Sequence, residues 1–235
     1  MTVQPAAGGP GRPGRSGPSG RWVPFVLIAL VGIPALFGSL RLIGLSGGPQ
    51  LMPADPRMTA SPVPVVVHIV SAVGYATLGA FQFSASLRRR RPGWHRVAGR
   101  VLVVLGLAVA VTALWMTLFY PRQPGTGVPA FLFRLAFGAG LAVSLALGVR
   151  AIRDGDVMRH RAWMTRAYAL ALGAGTQVFT KGIGPAVFGT SPLTLDLSLG
   201  AAWVVNLAVA EYVIRRPVRR RSHQPTARAT TEVAS

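Results

Sequence analysis

The chain contains no cysteine. Disulfides, thiolate nucleophiles, Cys-ligated zinc and iron–sulfur clusters are therefore excluded. It is also poor in acid, with 6 Asp and Glu in 235 residues. Charged residues amount to 13%, where a soluble domain carries about 25%. That deficit argues against an ordinary soluble enzyme. No Gly-x-Ser-x-Gly or P-loop pattern occurs, so the common hydrolase and nucleotide-binding signatures are missing. No His-x-x-x-His or Glu-x-x-His spacing offers a metal site. No residue is assigned a catalytic role, and the expectation leans away from an enzyme.

What is present is hydrophobic and basic. Apolar residues make up 51% of the chain, and 25 Lys and Arg give a net charge of +19. Such a balance fits nucleic-acid binding or a membrane protein with basic flanks. The position of the charges separates the two. Residues 1–21 are rich in Pro and Gly, with Arg12, Arg15 and Arg21 as their only charges. They read as a disordered basic tail. Residues 22–40 are uncharged and too long for the apolar core of a signal peptide. They read as a retained membrane helix, kinked at Pro34. Further apolar runs predict helices over 63–87, 98–120, 130–149, 162–182 and 195–214. Each is near the ~20 residues that cross a ~30 Å hydrocarbon core. The expected fold is an all-α integral membrane bundle of about six helices over 22–214. A second basic tail follows over 215–235.

Twenty of the 25 basic residues fall in the N-terminal tail, the 88–100 loop, the 150–166 loop and the C-terminal tail. All four lie on one side of the expected topology. Arg41, Arg57, Arg122, Arg134 and Lys181 lie on the other. This asymmetry places both termini in the cytoplasm. It also accounts for most of the charge without nucleic acid. The expected partners are the bilayer and its anionic lipids.

A shift of 65 residues lays His95-Arg96 on His160-Arg161 and Arg100 near Arg166. Each unit reads as a helix in, a basic loop, a His-Arg pair and a helix out. A weak two-helix repeat would produce this pattern. The run His160-Arg161-Ala162-Trp163-Met164-Thr165-Arg166-Ala167-Tyr168 has the form His-Arg-x-Trp-Met-x-Arg-x-Tyr. With His68, Gln82-Phe83 and His95 through Arg100, it resembles a family of bacterial membrane proteins catalogued as a domain of unknown function. The resemblance covers roughly 65–190. It implies a multi-helix protein of the bacterial cell membrane and no established activity.

Polar groups inside spans carry the functional reading, because placing them in hydrocarbon is costly. His68, Ser71, Tyr75, Gln82 and Ser86 share a ~60° arc of the second helix at ~100° per residue. Arg166, Gly173, Gln177 and Thr180 form a related stripe on the fifth. Helix packing through small and polar residues explains such stripes, and so does the lining of a cavity. His68, Arg134, Gln177, Lys181 and Asp196 sit at similar depth near the outer side. With Tyr75 they form a candidate outward-facing pocket for a small ligand, lipid or proton. His95, Arg96, Arg100, His160, Arg161 and Arg166 form a candidate cytoplasmic site for anionic headgroups or phosphate. Haem b is the cofactor to consider, with Met116 as a conceivable second ligand beside His68. Two other readings stand beside ligand binding: a redox protein using haem or quinone through His68, and a membrane scaffold acting through its tails.

Overall fold

The computed structural model describes residues 22–216. The two expected tails lie outside the described residues, apart from Arg215 and Arg216. The described residues contain helices and no strand. In chain order they are α1 (Val23–Leu45), α2 (Pro56–Ala60), α3 (Pro62–Gln82), α4 (Ala85–Arg90), α5 (Pro92–Phe119), α6 (Val128–Arg153), α7 (Val157–Ala171), α8 (Gly173–Phe188) and α9 (Pro192–Arg215). Of these, α1, α3, α5, α6 and α9 are long and apolar enough to cross a membrane.

Proline sets where most of them begin. It occupies the first or second helical position in α1, α2, α3, α5, α6 and α9. There its missing N–H costs nothing and its fixed φ suits the helix. The basic segments expected as loops are therefore mostly helical. Arg88–Arg90 close α4, and α5 starts at Pro92, not at 98. His95 and Arg96 thus lie in the first turns of a membrane helix. The Asp156 carboxylate accepts the Arg159 N–H at 2.8 Å and starts α7 at Val157, ahead of the expected 162.

The expected fifth span is divided. α7 and α8 have 15 and 16 residues and meet at Leu172. Together they run from the basic end of the bundle to the opposite end.

The helices close a ring. α1 packs on α3, α3 on α5, α5 on α6, α6 on α9, α9 on α8, and α8 back on α1. α7 sits within it, touching α3, α5, α6, α8 and α9. Four consecutive residues of α7, Ala167 to Leu170, are buried, so that turn is enclosed on every side. Around it the core is made of small side chains: Ala76, Ala80, Ala110, Ala167 and Ala202 are all buried. Small residues let backbones approach closely, which is how helices associate where the solvent is itself apolar. The outer surface is the reverse, with Phe25, Leu36, Val104, Val111, Leu132 and Val204 exposed. A hydrocarbon surroundings accounts for that exposure.

The 65-residue shift brings two helix starts near one another but not their ends, since Gln82 maps to position 147 inside α6 and Phe119 to 184 inside α8. The shift carries Pro62 to position 127, beside the start of α6 at Val128, and Pro92 to Val157, where α7 starts.

Candidate functional site

The end of the bundle that joins α5 to α6 and α8 to α9 carries a polar layer. Asp196 enters it from the second turn of α9. It is 1% exposed. Its Oδ2 accepts the Gly127 N–H at 2.9 Å, across from the start of α6. That end of α6 presents its positive dipole to the carboxylate. Gly127 is needed there, because a Cβ would stand 2.9 Å from the same oxygen. The other oxygen, Oδ1, has no hydrogen-bond partner among the described residues. Arg134, nearly two turns into α6, donates to Gln123 Oε1 at 3.3 Å. It lies within electrostatic range of both Asp196 and Arg57, yet ion-pairs with neither acid of that layer. The charge of Arg57 is taken by Asp55 through a two-point contact at 2.9 and 2.5 Å. Those hydrogen bonds hold the Asp55 carboxyl below its ordinary range.

His68 lies apart from this layer, on the seam of α3 and α5. Its Nδ1 is 3.0 Å from Thr112 Oγ1. The Thr112 hydroxyl donates its single proton to Ala108 O at 2.6 Å. Donating there, it accepts from the histidine in the tautomer with Nδ1–H. Nε2 then keeps its lone pair.

The remaining outer candidates are placed elsewhere. Tyr75 belongs to the core, with its ring centroid 6.0 Å from that of Tyr168. Gln177 donates to Leu199 O at 3.4 Å and ties α8 to α9. Lys181 is exposed. The structure thus brings none of the six outer candidates into a hydrogen bond or ion pair with another: Arg134 is within electrostatic range of Asp196 but is bonded to Gln123. It leaves His68, Tyr75, Gln177 and Lys181 on separate contacts.

At the basic end, two of the six candidates act within the bundle. His160 Nδ1 donates to Gly148 O at 2.8 Å and pins α7 to α6. Arg166 grips Glu211 of α9 with Nε at 2.5 Å and Nη2 at 3.1 Å. Its guanidinium also lies over the Trp163 ring, 4.7 Å from the centroid. Arg96, Arg100 and Arg161 are exposed. His95 is half-buried, and its Nδ1 has no partner among the described residues.

One polar site was not anticipated from the sequence. The break at Leu172 frees carbonyls of α7 that a continuous helix would have bonded. Two side chains of α9 take them: Trp203 Nε1 donates to Leu170 O and Asn206 Nδ2 to Ala169 O, each at 3.1 Å. Asn206 Oδ1 also accepts the Thr176 hydroxyl of α8 at 2.8 Å. Gly173 makes room, since a Cβ there would lie 2.1 Å from Trp203 Nε1. The available signal was Asn206, an amide in an otherwise apolar stretch of the last span.

The family described as predicted membrane protein (DUF2306) matches residues 65–214. No curated protein and no solved structure matches the chain.

Proposed function

The chain belongs to this family of predicted membrane proteins, and on that premise we propose that it is a multi-pass protein of the bacterial cell membrane that binds a small polar ligand at its outward end. Both termini are cytoplasmic in this reading, because the basic residues gather at the opposite end. The observation that carries it is Asp196: 1% exposed, with one oxygen on Gly127 N–H and the other unpartnered. A buried carboxylate oxygen without a donor is costly. Arg134 is within electrostatic range of Asp196, bonded to Gln123 and making no ion pair with it. A ligand with a donor for Asp196 Oδ1 and an acceptor for Arg134 would satisfy both.

Thermal unfolding of the detergent-purified protein, with a panel of small ammonium, carboxylate and zwitterionic compounds, tests this. At least one compound is expected to raise the midpoint. The rise should vanish in Asp196→Asn and shrink in Arg134→Gln. No rise with any compound, or one equal in both variants, defeats the reading.

A redox role is supported by the His68–Thr112 contact, which suits the tautomer of His68 with Nδ1–H. Its free Nε2 lone pair would accept a hydrogen bond from a quinol hydroxyl. A haem iron would use the same Nε2 lone pair and a second ligand, and the other described histidines, His95 and His160, lie at the basic end. Quinone co-purifying with the protein, and lost in His68→Phe, is the expected result. Equal quinone in both preparations ends this alternative.

A further inference from the structure

A cleft of about 520 Å³ opens between α5 and α6. Its walls are Val103 and Leu107 of α5 with Ala146 and Val149 of α6. At its basic end it is lined by Arg150, Arg153 and Asp154. The cleft follows one face of α6, because residues 146, 149, 150 and 153 recur at helical spacing. From Ala146 to Arg153 that face rises about 10 Å. A hydrocarbon slot therefore leads directly to two guanidinium groups.

The cleft faces the apolar phase. Leu107 and Ala146 on its walls, and Val104 and Val143 beside them, are exposed. An occupant must come from the membrane and not from water. The two arginines at its end are available. Arg150 makes one long contact with Asp154, at 3.8 Å between groups that are 79% and 61% exposed. A surface pair of this kind contributes little. Arg153 has no ion pair among the described residues. Two cations against one acid leave a positive charge at the head of an apolar slot.

We propose that this cleft is a binding site for one anionic phospholipid, with an acyl chain along Val103, Leu107, Ala146 and Val149 and its phosphate on Arg150 and Arg153. Guanidinium forks suit phosphate oxygens and hold them with charge-assisted hydrogen bonds. With Asp154 counted, the three groups leave one net positive charge, which favours an anionic over a zwitterionic headgroup. The site stands at the opposite end of the bundle from Asp196 and does not depend on the ligand-binding reading.

The test is native mass spectrometry of the full chain in detergent, with phosphatidylglycerol or phosphatidylcholine added separately. One phosphatidylglycerol per chain should be retained, in preference to phosphatidylcholine by about tenfold or more. Arg150→Gln with Arg153→Gln should abolish the preference. Arg88→Gln with Arg89→Gln removes equal charge at the same end and should leave it intact. Ala146→Trp, at an exposed position on the cleft wall, should displace both lipids without disturbing the core. Circular dichroism and gel filtration confirm that each variant is folded. Equal retention of the two lipids overturns the proposal. So does a loss in the Arg88/Arg89 control as large as in the Arg150/Arg153 variant, or full phosphatidylglycerol retention in Ala146→Trp.

Discussion

Arg166 shows what a single residue hides in a sequence. Its charge, its place beside a basic loop and its His-Arg neighbours all suggest a headgroup contact. Its carboxylate partner is Glu211, which is 45 residues away on another helix. From the sequence, Glu211 has an obvious partner at i+4, Arg215, and that contact also forms, at 3.4 Å. The two differ in environment. Arg166 and Glu211 are 26% and 32% exposed, whereas Arg215 is 80% exposed. Partial burial and two-point geometry make the first contact the stronger one. Glu211→Gln should cost about 1–2 kcal/mol, less than the loss of a fully buried partner because water still reaches both groups. Arg215→Gln should change stability by less than about 0.5 kcal/mol. Thermal unfolding in detergent measures both. Equal losses would show that the pair acts as a surface contact and does not join α7 to α9.

At the scale of elements, hydropathy located the spans, and the boundaries followed rules only partly visible in composition. The run of arginines at 88–91 reads as a loop because it is charged. Yet arginine is a good helix former, and Pro92 supplies the start of α5. The division of the fifth span was harder to foresee. Residues 162–182 read as one helix, and glycine alone does not break a membrane helix. The break depends on α9, whose Trp203 and Asn206 accept the cost of the exposed carbonyls. Irregular backbone at membrane depth persists where neighbouring helices satisfy it. Asn206→Leu removes the donor to Ala169 O and the acceptor for the Thr176 hydroxyl. It should destabilise the protein by about 1–2 kcal/mol, near the upper range for interhelical polar contacts in bilayers. Val205→Leu, next to it but 48% exposed on the apolar surface, should be neutral. Thermal unfolding compares the two. A neutral Asn206→Leu would mean that the break is stable without α9.

The whole molecule is organised by a charge gradient from one end to the other. The sequence shows which loops alternate, since each apolar run reverses the side. It does not show how the helices turn about their axes, and the site depends on that. His68, Gln177 and Asp196 read as one depth in the sequence, yet α8 runs on to Phe188, well beyond Gln177, and His68 turns to Thr112, Gln177 to Leu199 and Asp196 to Gly127. Depth follows from distance along the chain, whereas azimuth follows from packing. The division of α7 and α8 leaves the polarity of the bundle unchanged, because α7 begins at the basic end and α8 finishes at the other. Pro124 and Thr190 should therefore face the outside and Arg90 and Arg159 the cytoplasm. The absence of cysteine makes the test direct. Single substitutions Pro124→Cys, Thr190→Cys, Arg90→Cys and Arg159→Cys each introduce the only thiol in the chain. In intact cells a membrane-impermeant maleimide should label the first two and spare the others until the membrane is opened. Labelling of Thr190→Cys only after opening would show that α7 and α8 turn back without crossing. The outward reading of Asp196, next to that loop on α9, would fall with it.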